Sequence, residues 1–378
     1  MEYSPESEFV LSLDRDIHNL IETGYNRKVD GSEFNDISLR LFLFQYHNNK
    51  PYRKYCDKKG ITPSNVGNWE EIPAVASDSF KYADIACFPV ERYERLFMTS
   101  GTSNPDQRGK IYRDGLNMRL FDSSSLVTFK EYELPDMEKI KMVLVSPPPE
   151  LAPNSGFVYA SDLEIRRFGT EESKFLISKD GMDMKTLLGS LKTAEKTGEP
   201  IIFGGASFGF VPFFDYCKKE GLKFNLPKGS RLSHGGGYKG RSREVQRTDF
   251  IEMASQILGI PEDNIINILG LTETASIFYD NTLKNRINGV SEPRYKPNHP
   301  WTRTVVVDPE TLERLPRGEI GLLKHYDLAN RSTVLAVQTD DIGYEVGDGF
   351  EILGRAAGSK PRGCSLGIEE LIEANKTN

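Results

Sequence analysis

The chain has 378 residues, of which 38% are hydrophobic and 27% are charged, and its formal net charge is −7. This composition predicts a globular protein with one large core or two to three smaller ones. The acidic balance gives no electrostatic footprint for nucleic acid or for an anionic membrane surface, so we expect neither as a partner.

The first part of the chain, residues 7–60, is predicted to be helical. Apolar residues recur at helical spacing over 9–21 and again over 39–46. Ser7 and Asp30 are typical N-terminal caps, and a short helix after Pro51 is expected to close at Gly60. We therefore expect residues 1–95 to form a helical N-terminal region of the large domain.

A polar loop follows a short apolar strand predicted at 96–98. The loop has small hydroxyl residues around one glycine: Thr99, Ser100, Gly101, Thr102 and Ser103. Because glycine adopts backbone conformations closed to other residues, successive N–H groups and short hydroxyls can wrap a polyanion such as a nucleoside triphosphate. Arg108 and Lys110 add positive charge nearby. The Walker A spacing is absent, and an ordinary strand-to-turn transition explains the loop alone equally well.

Helical and strand patterns alternate from residue 118 to residue 269. Helices are predicted over 118–129, 184–196, 207–220 and 242–258, and strands over 141–145, 200–203, 231–234 and 264–269. Apolar strands separated by helices of this length predict parallel βαβ units with helices on both faces. Residues 96–295 are therefore expected to form an α/β core.

The pattern changes beyond Trp301. Strands are predicted over 304–307, 320–325, 333–337 and 350–353, and Gly347-Asp-Gly349 is typical of a hairpin turn. We expect residues 296–378 to form a smaller β-rich subdomain, antiparallel or barrel-like. The predicted fold class is α/β, with mostly parallel sheets flanked by helices plus this smaller subdomain.

A glycine-rich turn follows the strand predicted at 231–234. His234 precedes Gly235, Gly236 and Gly237, and three glycines let a flat ring or a phosphate approach the backbone closely. A flexible loop is the alternative.

Two acidic segments also adjoin predicted strands. Thr272 and Glu273 place a hydroxyl beside a carboxylate, a pair that can hold a phosphate and Mg²⁺; alternatively, Thr272 or Thr274 caps a helix. Thr339-Asp-Asp341 ends a strand and offers a carboxylate to a ribose diol, or forms a polar turn.

Four widely scattered cysteines form no CxxC pair: Cys56, Cys87, Cys217 and Cys364. A disulfide framework or a zinc site is not expected, and a reducing cytoplasm is the expected compartment. The acidic N-terminus lacks signal-peptide features, and the longest apolar run, 201–214, is too short and too broken to span a bilayer.

Cys364 has the surroundings of a nucleophile. Arg355, Lys360 and Arg362 precede it closely, and cations favour the thiolate over the thiol. The alternative is an incidental small apolar residue. Separately, aromatic and aliphatic residues after the 200–203 strand could line an acyl slot or form plain core: Phe208, Phe210, Val211, Phe213 and Phe214.

The order of these motifs resembles that of the adenylate-forming superfamily over residues 95–365. The sequence is most similar to the LuxE-like acyl-protein synthetase family. The similarity lies in overall length, the 99–103 loop, Asp308-Pro-Glu-Thr-Leu312, Thr339-Asp-Asp341 and Arg362-Gly-Cys-Ser-Leu366. The chain departs from the superfamily pattern at Asn104, Asp340 and Gly358. A counterpart of the large C-terminal domain of CoA ligases, which carries a catalytic lysine, is not expected.

The resemblance implies ATP-dependent activation of a carboxylic acid, such as a fatty acid, as an acyl-adenylate, followed by transfer to Cys364 as a thioester. It implies Mg²⁺ at Glu273, Lys360 as a candidate for the catalytic lysine, and an acyl-reductase or acyl-transferase partner; an oligomer is compatible with it. The implied nucleotide-binding residues are Thr99, Ser100, Gly101, Thr102, Ser103, Gly235, Gly236, Gly237, Thr272, Asp341 and Arg355.

Two alternatives remain at this point. The acceptor could be CoA or a carrier-protein thiol, with Cys364 a bystander. The chain could also be a non-catalytic acyl- or nucleotide-binding subunit, as the motif departures allow.

Overall fold

Most segments in which apolar residues recur at helical spacing form helices. A computed structural model describes residues 7–100, 107–237, 242–356 and 362–376, without the side chains of 362–367 and 376. Its helices are α1 (Glu8–Thr23), α2 (Gly31–Asn48), α3 (Lys50–Lys58), α4 (Gly115–Tyr132), α5 (Gly156–Phe168), α6 (Met184–Thr197), α7 (Ser207–Glu220), α8 (Arg247–Leu258), α9 (Thr282–Asn288) and α10 (Arg362–Lys376).

The strands are mostly short. They are β1 (Val75–Ala76), β2 (Arg95–Met98), β3 (Lys110–Arg113), β4 (Lys141–Val145), β5 (Lys174–Phe175), β6 (Ile177–Ser178), β7 (Gly181–Met182), β8 (Ile201–Ala206), β9 (Arg231–Gly235), β10 (Ile265–Gly270), β11 (Ile277–Tyr279), β12 (Lys296–Pro297), β13 (Thr302–Val307), β14 (Gly321–Asp327), β15 (Ala336–Val346) and β16 (Gly349–Arg355).

The chain divides into two compact units. The first combines residues up to Val127 with Leu271–Ser276 and the chain from Tyr295 onward; the second combines Thr128–Gly270 with Ile277–Arg294. Each unit is assembled from separate stretches, whereas the three predicted segments, 1–95, 96–295 and 296–378, are continuous. The return to the first unit at Tyr295 falls beside the predicted boundary, and the three-part division itself stays a prediction.

The second unit contains the predicted parallel sheet. Its strand order is β11-β10-β9-β8-β4-β5, and all neighbours are parallel except the β10–β11 pair. On β4, Val143 and Val145 belong to a core cluster shared with α6, α7 and α8, whereas Met142 and Leu144 face the other side. Phe210, Val211, Phe213 and Phe214 lie in that cluster, so the structure places these four in the core.

The first unit contains the predicted antiparallel sheet. Its strand order is β12-β16-β15-β14-β13, and β1 pairs with β15 in parallel. The β15–β16 hairpin confirms the turn predicted at Gly347-Asp-Gly349. The prediction that Thr339-Asp-Asp341 ends a strand is wrong, because β15 continues to Val346 with Asp341 paired to Arg355.

Residues 333–335, predicted as the start of a strand, are not part of β15. Side chains of the helical region bond to two of their backbone groups, and the Leu335 carbonyl accepts from the Asp327 N–H at the end of β14 at 2.9 Å. Asn49 donates to the Thr333 carbonyl at 3.0 Å, and Gln45 accepts from the Leu335 N–H at 2.7 Å. Because side chains satisfy two of these backbone groups, the segment can be buried without a regular strand pairing.

The predicted N-terminal helices are confirmed with their caps. Ser7 accepts from the Val10 N–H, Asp30 accepts from the Ser32 N–H, and Gly60 follows α3 with φ of 68°. Helix α8 starts at Arg247, later than the predicted residue 242; Arg243 instead forms an ion pair with Asp215 at 2.7 Å.

The C-terminal helix α10 packs against α3 and β1. Leu371 is fully buried, Lys59 pairs with Glu370 at 2.7 Å, and Asn375 donates to the Pro51 carbonyl at 3.3 Å. The segment that carries Cys364 is thereby attached to the N-terminal helices of the first unit. Across the described ranges, no helix is both long and apolar enough to cross a membrane.

Candidate active site

In the first unit, Thr99 and Gly109 pair where the two ends of the predicted polyanion-binding loop meet, and we call this pair the neck of the loop. The Thr99 N–H donates to the Gly109 carbonyl at 3.0 Å, and the Thr99 hydroxyl accepts from the Gly109 N–H at 2.8 Å. A Cβ at Gly109 would lie 3.0 Å from the Thr99 methyl, so the close approach favours glycine. Ser100 is exposed beyond this neck. Gly101, Thr102 and Ser103 lie outside the described residues.

Arg108 braces the same neck. Its guanidinium donates to the carbonyls of Thr99 at 2.5 Å and Met98 at 3.3 Å. The positive charge predicted at this position is therefore engaged with backbone oxygens, while Lys110 on β3 is exposed.

The segment 271–276 follows β10 and carries Thr272 and Glu273. It forms a turn, and no helix begins at Thr272 or Thr274, so the capping alternative is wrong. The Arg113 guanidinium donates to the carbonyls of Thr272, at 3.4 Å, and Thr274. Asn330 donates to the Glu273 carbonyl at 2.9 Å. The turn is therefore held through its backbone.

Asp327 holds the second half of this segment. One carboxylate oxygen accepts from the N–H groups of Ala275 at 2.8 Å and Ser276 at 2.9 Å, and the other accepts from the Ser276 hydroxyl at 2.9 Å. Burial lowers the pKa of Arg113 to about 10, which leaves the guanidinium cationic at neutral pH. Arg113, Asp327 and Asn330 were not predicted as site residues. For Asp327 and Asn330 the available signal was the run of polar residues at the end of β14 and directly after it.

Glu273, Asp341 and Arg355 lie close enough to interact electrostatically. Arg355 Nε donates to Asp341 Oδ1 at 3.1 Å. Burial raises the pKa of Glu273 to about 7; Asp341 and Asp78 raise it further and Arg355 lowers it. Burial also raises the pKa of Asp341, whose Oδ2 is buried without a hydrogen-bond partner. Two carboxyl groups facing one guanidinium, with Asp341 Oδ2 unpartnered, fit a bound cation and a hydroxyl donor.

The glycine-rich turn lies at an edge of the second unit. Gly235 ends β9, and Gly236, with φ of 71°, and Gly237 are exposed. The preceding His234 is buried, with its Nδ1 2.9 Å from the Ser207 hydroxyl. Because β9 is parallel to its neighbours, this turn occupies the edge where open α/β sheets bind ligands.

A narrow apolar cavity lies in the second unit, on the sheet face opposite the core cluster. Its volume is about 30 Å³. A Cβ at position 204 would lie 2.6 Å from Leu144 Cδ2. The glycine therefore leaves space above the sheet that a side chain would fill. The lining residues come from α4, α5 and five strands, and they include Phe129, Met142, Leu144, Phe157, Ile202 and Ile268. None of the aromatic residues predicted for an acyl slot is among the lining residues.

Two buried carboxyl groups adjoin this cavity. Tyr279 donates to Glu164 Oε1 at 3.3 Å, and Ser233 donates to Glu133 Oε2 at 2.7 Å. Burial raises the pKa of Glu133 to about 7. Burial also raises the pKa of Glu164 well above its ordinary value, and the charge of Glu133 adds to that shift.

Cys364 falls in the first turn of α10, and its side chain lies outside the described part of the structure, as does Lys360 altogether. The other cysteines are buried. Burial raises the pKa of Cys56 to about 12 and that of Cys217 to about 11, and it raises the pKa of Cys87 as well. These three thiols are poor sources of a thiolate.

Comparison with known proteins identifies relatives over nearly the whole chain. Residues 21–373 match the family described as "Acyl-protein synthetase, LuxE". A long-chain-fatty-acid–luciferin-component ligase from Vibrio harveyi is 25% identical over 380 residues, covering 96% of both chains. The ligase of the same name from Aliivibrio fischeri is 26% identical over 348 residues, covering 88% of this chain and 87% of its own.

Solved structures share the fold. A 2-hydroxyisobutyryl-CoA ligase in an open conformation, in complex with 2-HIB-AMP and CoA, has a TM-score of 0.62 at 13% identity. The similarity covers 86% of this chain and 70% of that one. The same enzyme in the postadenylation state with R3-HIB-AMP gives 0.61 at 14% identity, covering 88% and 70%. The chain therefore has the fold of adenylate-forming enzymes.

Replacing Arg113 with Met is expected to destabilise the protein. Two buried carbonyls, of Thr272 and Thr274, lose their donor, at a cost of about 2–4 kcal/mol in the free energy of unfolding. Urea denaturation measures this loss. Lys110→Met on the same strand is the matched control, because its side chain is exposed and its replacement costs little. Equal stability of the two variants would contradict the bracing.

Glu133 is expected to make the folded state less stable as pH rises. Its folded pKa is raised from 4.5 to about 7, so the folded state binds the proton more tightly and this stabilisation is lost between these two values. The loss is on the order of 3 kcal/mol. Urea denaturation at pH 5 and pH 8 should show a smaller loss in Glu133→Gln than in the wild type, because Glu273 and Glu164, whose pKa values are also raised, still contribute to it. The exposed control Glu171→Gln should keep it, and a pH dependence unchanged in Glu133→Gln would refute this role.

Proposed function

The chain belongs to the LuxE acyl-protein synthetase family, and we propose that it activates a carboxylic acid with ATP and takes the acyl group onto Cys364 as a thioester. The observation that carries this proposal is the interaction of Glu273 with Asp341 and Arg355, where Glu273 lies in a turn whose backbone is held by buried side chains. The named relatives are long-chain-fatty-acid ligases, which supports a fatty acid as the class of substrate.

Nucleotide binding is assigned to the residues predicted from the sequence. The loop 99–103 and Thr272 bind phosphates, Asp341 and Arg355 bind the ribose side, and the turn of Gly235, Gly236 and Gly237 accommodates the base. Within the described ranges no cluster of three or more His, Cys, Asp or Glu side chains could hold a metal ion. Mg²⁺ would be held by Glu273 together with nucleotide phosphates, and it would supply charge neutralisation when bound.

The first reaction step makes the acid a better electrophile. A carboxylate oxygen attacks the α-phosphorus of ATP, a new P–O bond forms, and the bond to the bridging oxygen breaks with release of pyrophosphate. This step depends chiefly on positioning and on stabilising phosphate charge. A turn fixed by Arg113, Asn330 and Asp327 can present Thr272 and Glu273 without reorganisation.

The second step transfers the acyl group to sulfur. The Cys364 thiolate attacks the acyl carbonyl, a C–S bond forms, and the C–O bond to AMP breaks. The N-terminal turn of a helix lowers the pKa of a thiol, because its N–H groups stabilise the anion. Burial gives the three other cysteines the opposite tendency. The thioester would then be delivered to an acyl-reductase or acyl-transferase partner in the cytoplasm.

Cys364→Ser is expected to abolish covalent labelling by a radiolabelled fatty acid in the presence of ATP and Mg²⁺. Pyrophosphate release should persist, because the first step does not use the thiol. Acid-stable label on the denatured protein and its release by hydroxylamine measure the thioester. Cys217→Ser is the control and should keep the label.

The outcomes separate the alternatives. Label retained in Cys364→Ser excludes this residue as the acceptor. Acyl-CoA formed equally well by the variant identifies CoA as the acceptor. A panel of acids that gives no pyrophosphate release contradicts activation altogether and favours a binding subunit.

A further inference from the structure

The apolar cavity has a defined direction within the second unit. Helix α5 connects the parallel strands β4 and β5, so it runs antiparallel to them and begins at the edge where the strands end. Phe157 lies in its first turn, and Glu164 lies about 10 Å further along the axis. The cavity therefore runs from the ligand-binding edge of the sheet toward Glu164.

The strand register gives the same direction independently. On β11, Ile277 lies opposite Gly270 at the end of β10, whereas Tyr279 lies opposite Ile268, further from that edge. Tyr279 and Glu164 are joined by a hydrogen bond of 3.3 Å. The polar residues therefore occupy the inner part of the cavity, and the residues between are mostly apolar.

We propose that the acyl chain carries an oxygen-containing substituent, a hydroxyl or an oxo group, at its distal end, held by Glu164 and Tyr279. This inference rests on the proposed function for one point, that the carboxyl group to be activated lies at the glycine-turn edge. The acyl chain would then extend about 10 Å from that edge to reach Glu164.

The geometry of Glu164 supports a ligand group rather than a purely structural role. The residue is 8% exposed and lines the cavity. One carboxyl oxygen accepts from Tyr279, and the other has no hydrogen-bond partner among the described residues. Glu133, beneath Ser233, is fully buried and also has one unpartnered oxygen. Buried polar groups without partners are uncommon, and a ligand is one way to satisfy them.

The protonation state decides which substituent fits. Burial raises the pKa of Glu164 and of Glu133, which favours the neutral carboxyl group, and a neutral Glu164 can donate its O–H. A hydroxyl or oxo oxygen accepts that hydrogen bond. An unsubstituted alkyl terminus leaves the donor unpaired in an apolar cavity, which is unfavourable. An ammonium terminus instead requires an ionised carboxylate, which burial disfavours.

The test compares acids of equal length, octanoic, ω-hydroxyoctanoic and ω-aminooctanoic acid, together with tetradecanoic acid. Acid-dependent ATP–pyrophosphate exchange gives kcat/KM, and calorimetry gives the affinity of each free acid for the full chain without ATP. The wild type should favour the hydroxy acid over octanoic acid by roughly tenfold or more.

Three variants make the assignment specific. Glu164→Leu should abolish the preference or reverse it, Glu164→Gln should keep most of it because the amide still donates, and the exposed control Glu171→Leu should keep all of it. Retention of the preference in Glu164→Leu overturns the proposal. A wild-type preference for tetradecanoic, octanoic or the amino acid overturns it as well.

The two readouts separate this proposal from the proposed function. Exchange without discrimination among the acids supports activation and overturns the distal oxygen. Discrimination in calorimetry without exchange for any acid supports the distal site and overturns activation.

Discussion

Three buried side chains, Arg113, Asp327 and Asn330, hold the backbone of residues 271–276, and the candidate site depends on this constraint. They bond to carbonyl and N–H groups of the segment, not to the side chains of Thr272 and Glu273. An irregular segment next to a sheet has backbone groups that need partners when buried. Because these partners come from β3, from the last residue of β14 and from the loop after it, the segment is fixed without using the two side chains assigned to the nucleotide.

In the second unit, one face of the parallel sheet packs against the hydrophobic core and the other face lines the apolar cavity. Alternation along β4 sends Val143 and Val145 into the aromatic core and Met142 and Leu144 into the cavity. The core face is closely packed, whereas on the other face the absence of a side chain at Gly204 leaves space for a cavity. Two buried carboxyl groups of this unit, those of Glu133 and Glu164, lie on the cavity side. A carboxyl group buried there loses hydration, which raises its pKa and favours the neutral form that can donate a hydrogen bond.

Much of the fold could be predicted from periodicity, because strong patterns coincide with regular elements. Strand β4 and helix α7 have the bounds predicted from the sequence. Helix α5 was missed, because Glu164 on its buried face and the charged residues around it obscure the apolar stripe. Residues 333–335 have strand-like composition, yet Gln45 and Asn49, nearly three hundred positions earlier, satisfy their backbone. Arg113 likewise acts on residues distant in sequence, and no local pattern contains that information.

Hydrogen exchange at the amides of Ala275 and Ser276 measures the constraint on the 271–276 segment most directly. Both N–H groups donate to a buried carboxylate oxygen of Asp327. Exchange that requires opening of the whole first unit, equally slow with and without ATP and acid, is the predicted result. Exchange as fast as that of an exposed loop, slowed only when nucleotide binds, would contradict a turn that is fixed before its ligand arrives.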